Sequence, residues 1–238
     1  MPRTAEAFFG FLQQHAKHCQ QLYLLGDVFE YWAGDDDIAA PFNQQVVDAI
    51  RAVSDLGVNV FWIAGNRDFL VGDVFAKAIG AILLPDPFVT TIAGIKLVLT
   101  HGDAYCTDDK EYMAFRAQVR QAEWQQIFLA MPLAQRKAII EGLRNDSRAA
   151  QQSKSYDIMD VNAAAIETLF ESTDTSIIIH GHTHRPACHE QLRRQKKELR
   201  FVLPDWDCEI AVPRGGWIAI SSDGTITRVG LQITQTVF

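Results

Sequence analysis

Four short apolar runs, each ended by a glycine and then by residues able to hold a cation or a phosphate, constrain this chain more than any other feature. They are QLYLLGD (21–27), NVFWIAGNRD (59–68), KLVLTHGD (96–103) and SIIIHGHTH (176–184). A run of this length bounded by glycine predicts a buried strand. Between the first two, Phe42, Val46, Val47, Ile50 and Val53 repeat at helical spacing over 42–56. A further short helix is expected over 70–80. Residues 5–20 read as an amphipathic helix with Phe8, Leu12 and His15 on one side. Strands and helices that alternate in this way predict an α/β fold, with functional side chains on the loops at strand ends.

With 238 residues, 48% of them hydrophobic, the chain has enough material for one α/β domain with an insertion. Cys19, Cys106, Cys188 and Cys208 are scattered and form no CxxC pair, as in proteins of a reducing compartment. The N-terminus has no signal-peptide pattern, and no stretch reaches the length of a spanning helix. The expectation is a cytoplasmic protein whose membrane contact, if it has any, is peripheral. A net charge of −7 argues against a nucleic-acid partner.

From residue 199 the pattern turns β-rich, with RFVLPDW, GGWIAISSDGTITRV and LQITQTVF expected to close the domain. The basic run QLRRQKKE (191–198) is read as a solvated turn. Residues 107–165 read as helical throughout. They are locally basic and carry Met113, Phe115, Trp124, Phe128 and Met131. Two readings fit this stretch. One is an ordinary helical hairpin with a buried face. The other is a cap offering apolar walls and cations to an anionic, lipid-bearing ligand.

The strand-end segments are Gly26-Asp27, Gly65-Asn66-Arg67-Asp68, His101-Gly102-Asp103 and Gly181-His182-Thr183-His184. Each supplies carboxylate oxygen, amide oxygen or imidazole nitrogen, the donors of divalent cations. No thiolate belongs to the set, which disfavours a structural zinc site. Strand alternation predicts that His182 and His184 point the same way, toward neighbouring ions.

The order GD, GNRD, HGD, GHTH follows the pattern GD–GNxD–H–GHxH, and over nearly its whole length the chain resembles the calcineurin-like metallophosphoesterases. Longer stretches are similar to members that cleave a UDP-linked, diacylated sugar: LGDVFEYWAGDDD (25–37), GNRDFL (65–70), HGDAYCTDD (101–109), SKSYDIMDVN (153–162) and IHGHTHRPA (179–187). The resemblance implies a four-layer α-β-β-α sandwich with a helical cap over about 107–165. It implies two divalent ions, by family similarity Mn2+, although donor softness alone also admits iron, cobalt or zinc. Asp27 is then the carboxylate bridging the ions, with Asn66, His101 and His182 completing the second site and His184 on the first. Arg67 becomes a phosphate clamp beside Asn66 and His182. Asp109, Tyr112, Ser147 and Lys154 match positions that hold the nucleotide and sugar head group. The implied reaction is pyrophosphate hydrolysis giving UMP and a lipid sugar phosphate, on the cytoplasmic face of the inner membrane.

One part of the family pattern is absent. The family opens with a strand followed by Asp-x-His, whereas this sequence opens on MPRTAEAFF, which resembles the helix after that motif. The expectation is that Met1 is internal to a longer protein, with a genuine truncation as the rival cause, and that a central strand is missing at a cost of several kcal/mol. On this sequence the first metal site keeps only Asp27 and His184, so weak affinity there and little activity are expected. Two alternatives stay open: a phosphoesterase of some other nucleotide diphosphate, and a binding protein without turnover.

Overall fold

The computed structural model describes residues 1–153, 160–231 and 234–236, with 146–153 and 234–236 followed as backbone. Strand–helix alternation builds one all-parallel sheet and the parallel centre of a second, mixed one. The first is β1 (Gln21–Leu24), β2 (Asn59–Ile63) and β3 (Ala81–Leu84), in that order and all parallel. It is covered by α1 (Pro2–Gln14), α2 (Pro41–Asp55) and α3 (Asp73–Ile79). Phe29, Trp32, Trp62 and Phe75 interlock at the centre of this layer, with Trp62 and Phe75 rings 5.1 Å apart and edge to face. Each such side chain contributes about 2–3 kcal/mol by leaving water.

The second sheet runs β4 (Phe88–Ile92), β5 (Ile95–Thr100), β6 (Ile177–His180), β8 (Lys196–Val202), β7 (Ala187–Arg193). Its pleat divides the apolar residues between two faces. Leu97, Leu99, Ile177 and Ile179 meet Leu25, Ile63 and Ile226 in the core between the sheets. Val98 and Ile178 face outward and are covered by Ile166, Leu169 and Phe170 of α7 (Ala163–Thr173). The result is a helix layer, two sheet layers and a second helix layer, the α-β-β-α order expected.

A third sheet, β9 (Gly216–Ile220), β10 (Ile226–Gly230) and β11 (Thr234–Thr236), extends the first layer. Trp217 packs on Phe11 of α1, while Ile218 and Ile220 turn into the core between the sheets. Among the described residues, β1 and β9 each keep one edge without a strand partner. A cavity of about 1800 Å³ runs along both edges, lined by Gln21–Leu25 and by Gly216–Ile220, and it continues to Asp27, Asn66, His101 and His182. Among the described residues the layer is therefore interrupted between β1 and β9.

Two hairpins go beyond what the sequence was read to show. The run at 191–198 is the turn of a β-hairpin, β7 against β8, with Arg194 and Gln195 both left-handed (φ 48° and 66°) as a two-residue connection requires. A second hairpin, β4 with β5 around Ala93-Gly94, was not foreseen.

Between β5 and β6 lie α4 (Lys110–Val119), α5 (Ala122–Leu129) and α6 (Leu133–Ser153). Trp124, Phe128, Met131 and Ile140 pack into the first core, while Phe115 and Leu143 stay on the cavity wall. The loop after β1 anchors these helices. Buried Arg136 donates to the Ala33 carbonyl and to Asp36, and Lys137 Nζ reaches Asp37 Oδ1 at 2.6 Å. Two of the cations expected to face a ligand are thus spent on holding the insertion down.

Candidate metal centre

Where β1 and β2 end, two glycines let the following loops touch. A Cβ on Gly26 would overlap the Gly65 backbone, and a Cβ on Gly65 would overlap Asp27. Gly26 and Asp27 are both left-handed (φ 82° and 56°), an uncommon state for aspartate. Asp68, fully buried, stitches the loops by accepting from Gly65 N at 2.7 Å and Val28 N at 3.0 Å. Burial, with the neighbouring Asp27 carboxylate, raises its pKa to about 6.

Above this junction four side chains converge. One donor atom from each of Asp27, His101 and His182 lies within 4.8 Å of the others. Asn66 Oδ1 sits between the rings, 2.9 Å from His101 Nε2 and 2.9 Å from His182 Nδ1. His101 Nδ1 meets the Leu25 carbonyl at 2.7 Å. Because a carbonyl only accepts, Nδ1 carries the proton there and Nε2 is the atom turned to the cluster. A carbonyl behind an imidazole in this way is the usual support of a metal-ligating histidine. One carboxylate, one amide oxygen and two imidazoles suit a divalent first-row cation, and the described residues at this point fit one.

The two rings differ in proton affinity. Burial and the charge of His101 lower His182 to about 4, so it is neutral at physiological pH. Burial also works against a charged His101, but the carboxylates of Asp27 and Asp103 and the Leu25 carbonyl outweigh it, and its pKa is raised. Behind the cluster, His180 is fully buried and accepts from Arg200 Nη1 at 2.9 Å. Burial and that guanidinium hold it near 3.

β6 ends at His180, and 181–184 is a turn with His182 and His184 left-handed (φ 63° and 55°). The strand alternation expected for this pair is absent. His184 is exposed on the same cavity wall, near Asp205, and its ring is not one of the three converging groups. Arg67 lies beside the cluster, its backbone N donating to Asp27 Oδ1 at 2.9 Å and its Nε 3.5 Å from Asp27 Oδ2. Asp109 caps α4 by accepting from Tyr112 N at 3.1 Å. The Tyr112 ring stacks on His182 with centroids 5.8 Å apart. Ser147 lies in the backbone-only part of α6, and Lys154 lies outside the described residues.

Several wall residues were not foreseen. Asp103, fully buried, accepts from the Tyr112 hydroxyl at 2.6 Å and from Arg116 Nε at 2.9 Å. Burial alone would raise its pKa. His101, Arg116 and the tyrosine hydroxyl reverse that and hold it far below the usual carboxylate range. Arg120, one helical turn on, donates to the Gly65 carbonyl at 2.9 Å. Arg116 and Arg120 at i, i+4 on one face of α4 were the available signal.

The calcineurin-like phosphoesterase family matches residues 3–186 of the chain. A UDP-2,3-diacylglucosamine hydrolase from Bordetella parapertussis is 48% identical over 94% of this chain and 87% of its own length. The protein of that name from Aromatoleum aromaticum is 50% identical over 86% of this chain and 83% of its own. The one from Escherichia coli O139:H28 is 44% identical over 93% and 90%. With its strand-end donors gathered on one cavity, the chain belongs to the calcineurin-like phosphoesterase family, on the branch of the UDP-2,3-diacylglucosamine hydrolases.

Proposed function

We propose that the chain hydrolyses the pyrophosphate bond of UDP-2,3-diacylglucosamine, giving UMP and 2,3-diacylglucosamine 1-phosphate, a step of lipid A biosynthesis. The observation that carries this is the convergence of Asp27, Asn66, His101 and His182 beside the Arg67 guanidinium, on a cavity that also has an apolar wall. A divalent ion held by these four residues supplies Lewis acidity toward water and phosphoryl oxygen. In this reading Asp27 also faces a second ion with His184, and Mn2+ is the metal. The Leu25 carbonyl keeps His101 in the ligand tautomer, and burial keeps His182 unprotonated. Arg67 grips a phosphate through its planar fork. Asp109 and Tyr112, with Ser147 and Lys154, hold the head group.

Helices α4–α6 serve as the cap for the acyl chains, for which Phe115 and Leu143 line the cavity. Among the described residues no helix is long and apolar enough to cross a membrane. In this reading the lipid is met by peripheral contact with the cytoplasmic face of the inner membrane.

The test compares UMP release from UDP-2,3-diacylglucosamine and from UDP-glucose by the purified chain in Mn2+. Faster release from the lipid substrate supports the reading. Equal release from both, or metal binding without release from either, overturns it.

A further inference from the structure

Glu30 lies three residues beyond Asp27, and its two carboxylate oxygens go to two different arginines. Oε1 meets Arg67 Nη1 at 3.3 Å, and Oε2 accepts from Arg144 Nη2 at 2.8 Å. Arg144 comes from α6, 114 positions away, and its guanidinium lies over the Tyr31 ring at 5.4 Å. Glu30, Arg67 and Arg144 all line the cavity that holds Asn66 and His182. The side chains remain 47%, 36% and 30% exposed, so water competes for every one of these contacts.

Two guanidinium groups facing one anion on the wall of this cavity form a built anion subsite. A carboxylate that gives one oxygen to each presents the same pattern as two oxygens of a phosphate. The phosphate brings more charge and a third oxygen, and so is the better occupant. A half-exposed pair is held weakly enough to exchange.

We propose that Glu30 is an internal stand-in for a substrate phosphate. It occupies the paired guanidiniums of Arg67 and Arg144 until a phosphate displaces it, and Arg144 is the second cation of that subsite. This deepens the phosphoester reading above and rests on it only in taking the ligand to be a phosphate.

The experiment titrates inorganic phosphate into the full chain at fixed Mn2+ and fixed ionic strength, for the parent, E30Q, R144Q and the double variant. E30Q removes the competing charge without changing shape, and is expected to tighten phosphate binding about three- to ten-fold. R144Q is expected to weaken it by a similar factor. In the R144Q background the E30Q gain should shrink to less than half, because the two residues act on one subsite. A merely structural role for Glu30 would weaken binding in E30Q, and that result, or no change, overturns the proposal. A full E30Q gain in the R144Q background overturns it too, since the effect would then be long-range charge alone. Failure of UDP-2,3-diacylglucosamine hydrolysis with the expected phosphate pattern intact would sink the substrate reading and leave this one standing.

Discussion

The Nδ1–H of His101 donates to the carbonyl of Leu25 across 2.7 Å, fixing which nitrogen faces Asp27 and Asn66. The residue just past β1 thereby orients a ring that arrives from just past β5, far along the chain. Replacing His101 by Ala should lower Mn2+ affinity at this site by at least about 100-fold, since it removes the donor and its support together. Metal titration by calorimetry measures this. In the parent chain Mn2+ should also raise the unfolding midpoint, by mass action on the folded state. A midpoint shift of equal size in H101A would show that the ion sits elsewhere.

Proton release should accompany metal binding, and it should come from His101 rather than His182. His101 has a raised pKa, so in the metal-free chain it stays protonated to higher pH than an ordinary histidine. His182, lowered to about 4, carries no proton to lose near neutrality. Mn2+ affinity should therefore go on rising with pH above the usual histidine pKa of about 6.5, where His101 still holds its proton. Calorimetry in buffers of different ionisation enthalpy counts the protons. A pH-independent affinity across pH 6–8 would contradict this assignment.

Asp103 should matter more for stability than its place beside the cluster suggests. Its carboxylate is buried and takes hydrogen bonds from Tyr112 and Arg116. Replacement by Asn leaves Arg116 without its charge partner and should cost about 3–5 kcal/mol, read from urea unfolding. Because the folded pKa is depressed, the stabilisation is complete above the unfolded value of about 3.9 and disappears as the pH falls through the folded one. The difference between D103N and the parent should accordingly be largest near pH 5, narrowing in stronger acid as Asp103 takes up its proton and narrowing again at higher pH as His101, whose pKa Asp103 helps to raise, loses its charge.

At Gly26 the prediction is steric. Alanine there meets the Gly65 backbone and must adopt φ 82°. G26A should lose about 3 kcal/mol or more of stability, with metal binding falling alongside, because the two loops can no longer touch. Gly57, also left-handed but with open space around its Cβ position, is the control. G57A should cost only about 1 kcal/mol.

The strand-end segments were legible because each packs its donors into a few contiguous residues behind an apolar run. Asp27, Asn66, His101 and His182 needed only the α/β alternation to bring them to one side of the sheets. The His182–His184 geometry was misread because the strand stops at His180 and the turn takes over, a boundary that apolar patterning places poorly. The β7–β8 hairpin was hidden by its own charges. Strand residues such as Arg193 and Glu198 pair with each other across the turn, and hydropathy records them only as polar. The anchoring of Arg136 on Asp36, and of Arg144 on Glu30, joins residues a hundred or more positions apart. Such contacts follow from how the insertion folds back, which local spacing does not encode.

The interruption between β1 and β9 has a physical outcome beyond the site. Two rails of amide and carbonyl groups face the same hollow, and water is a weaker zipper for them than another stretch of extended backbone. Any segment that can lie flat in that groove, including one borrowed from a neighbouring molecule, gains hydrogen bonds on both flanks at once. An added peptide of extended, alternating apolar sequence should therefore raise the unfolding midpoint of the chain as its concentration grows.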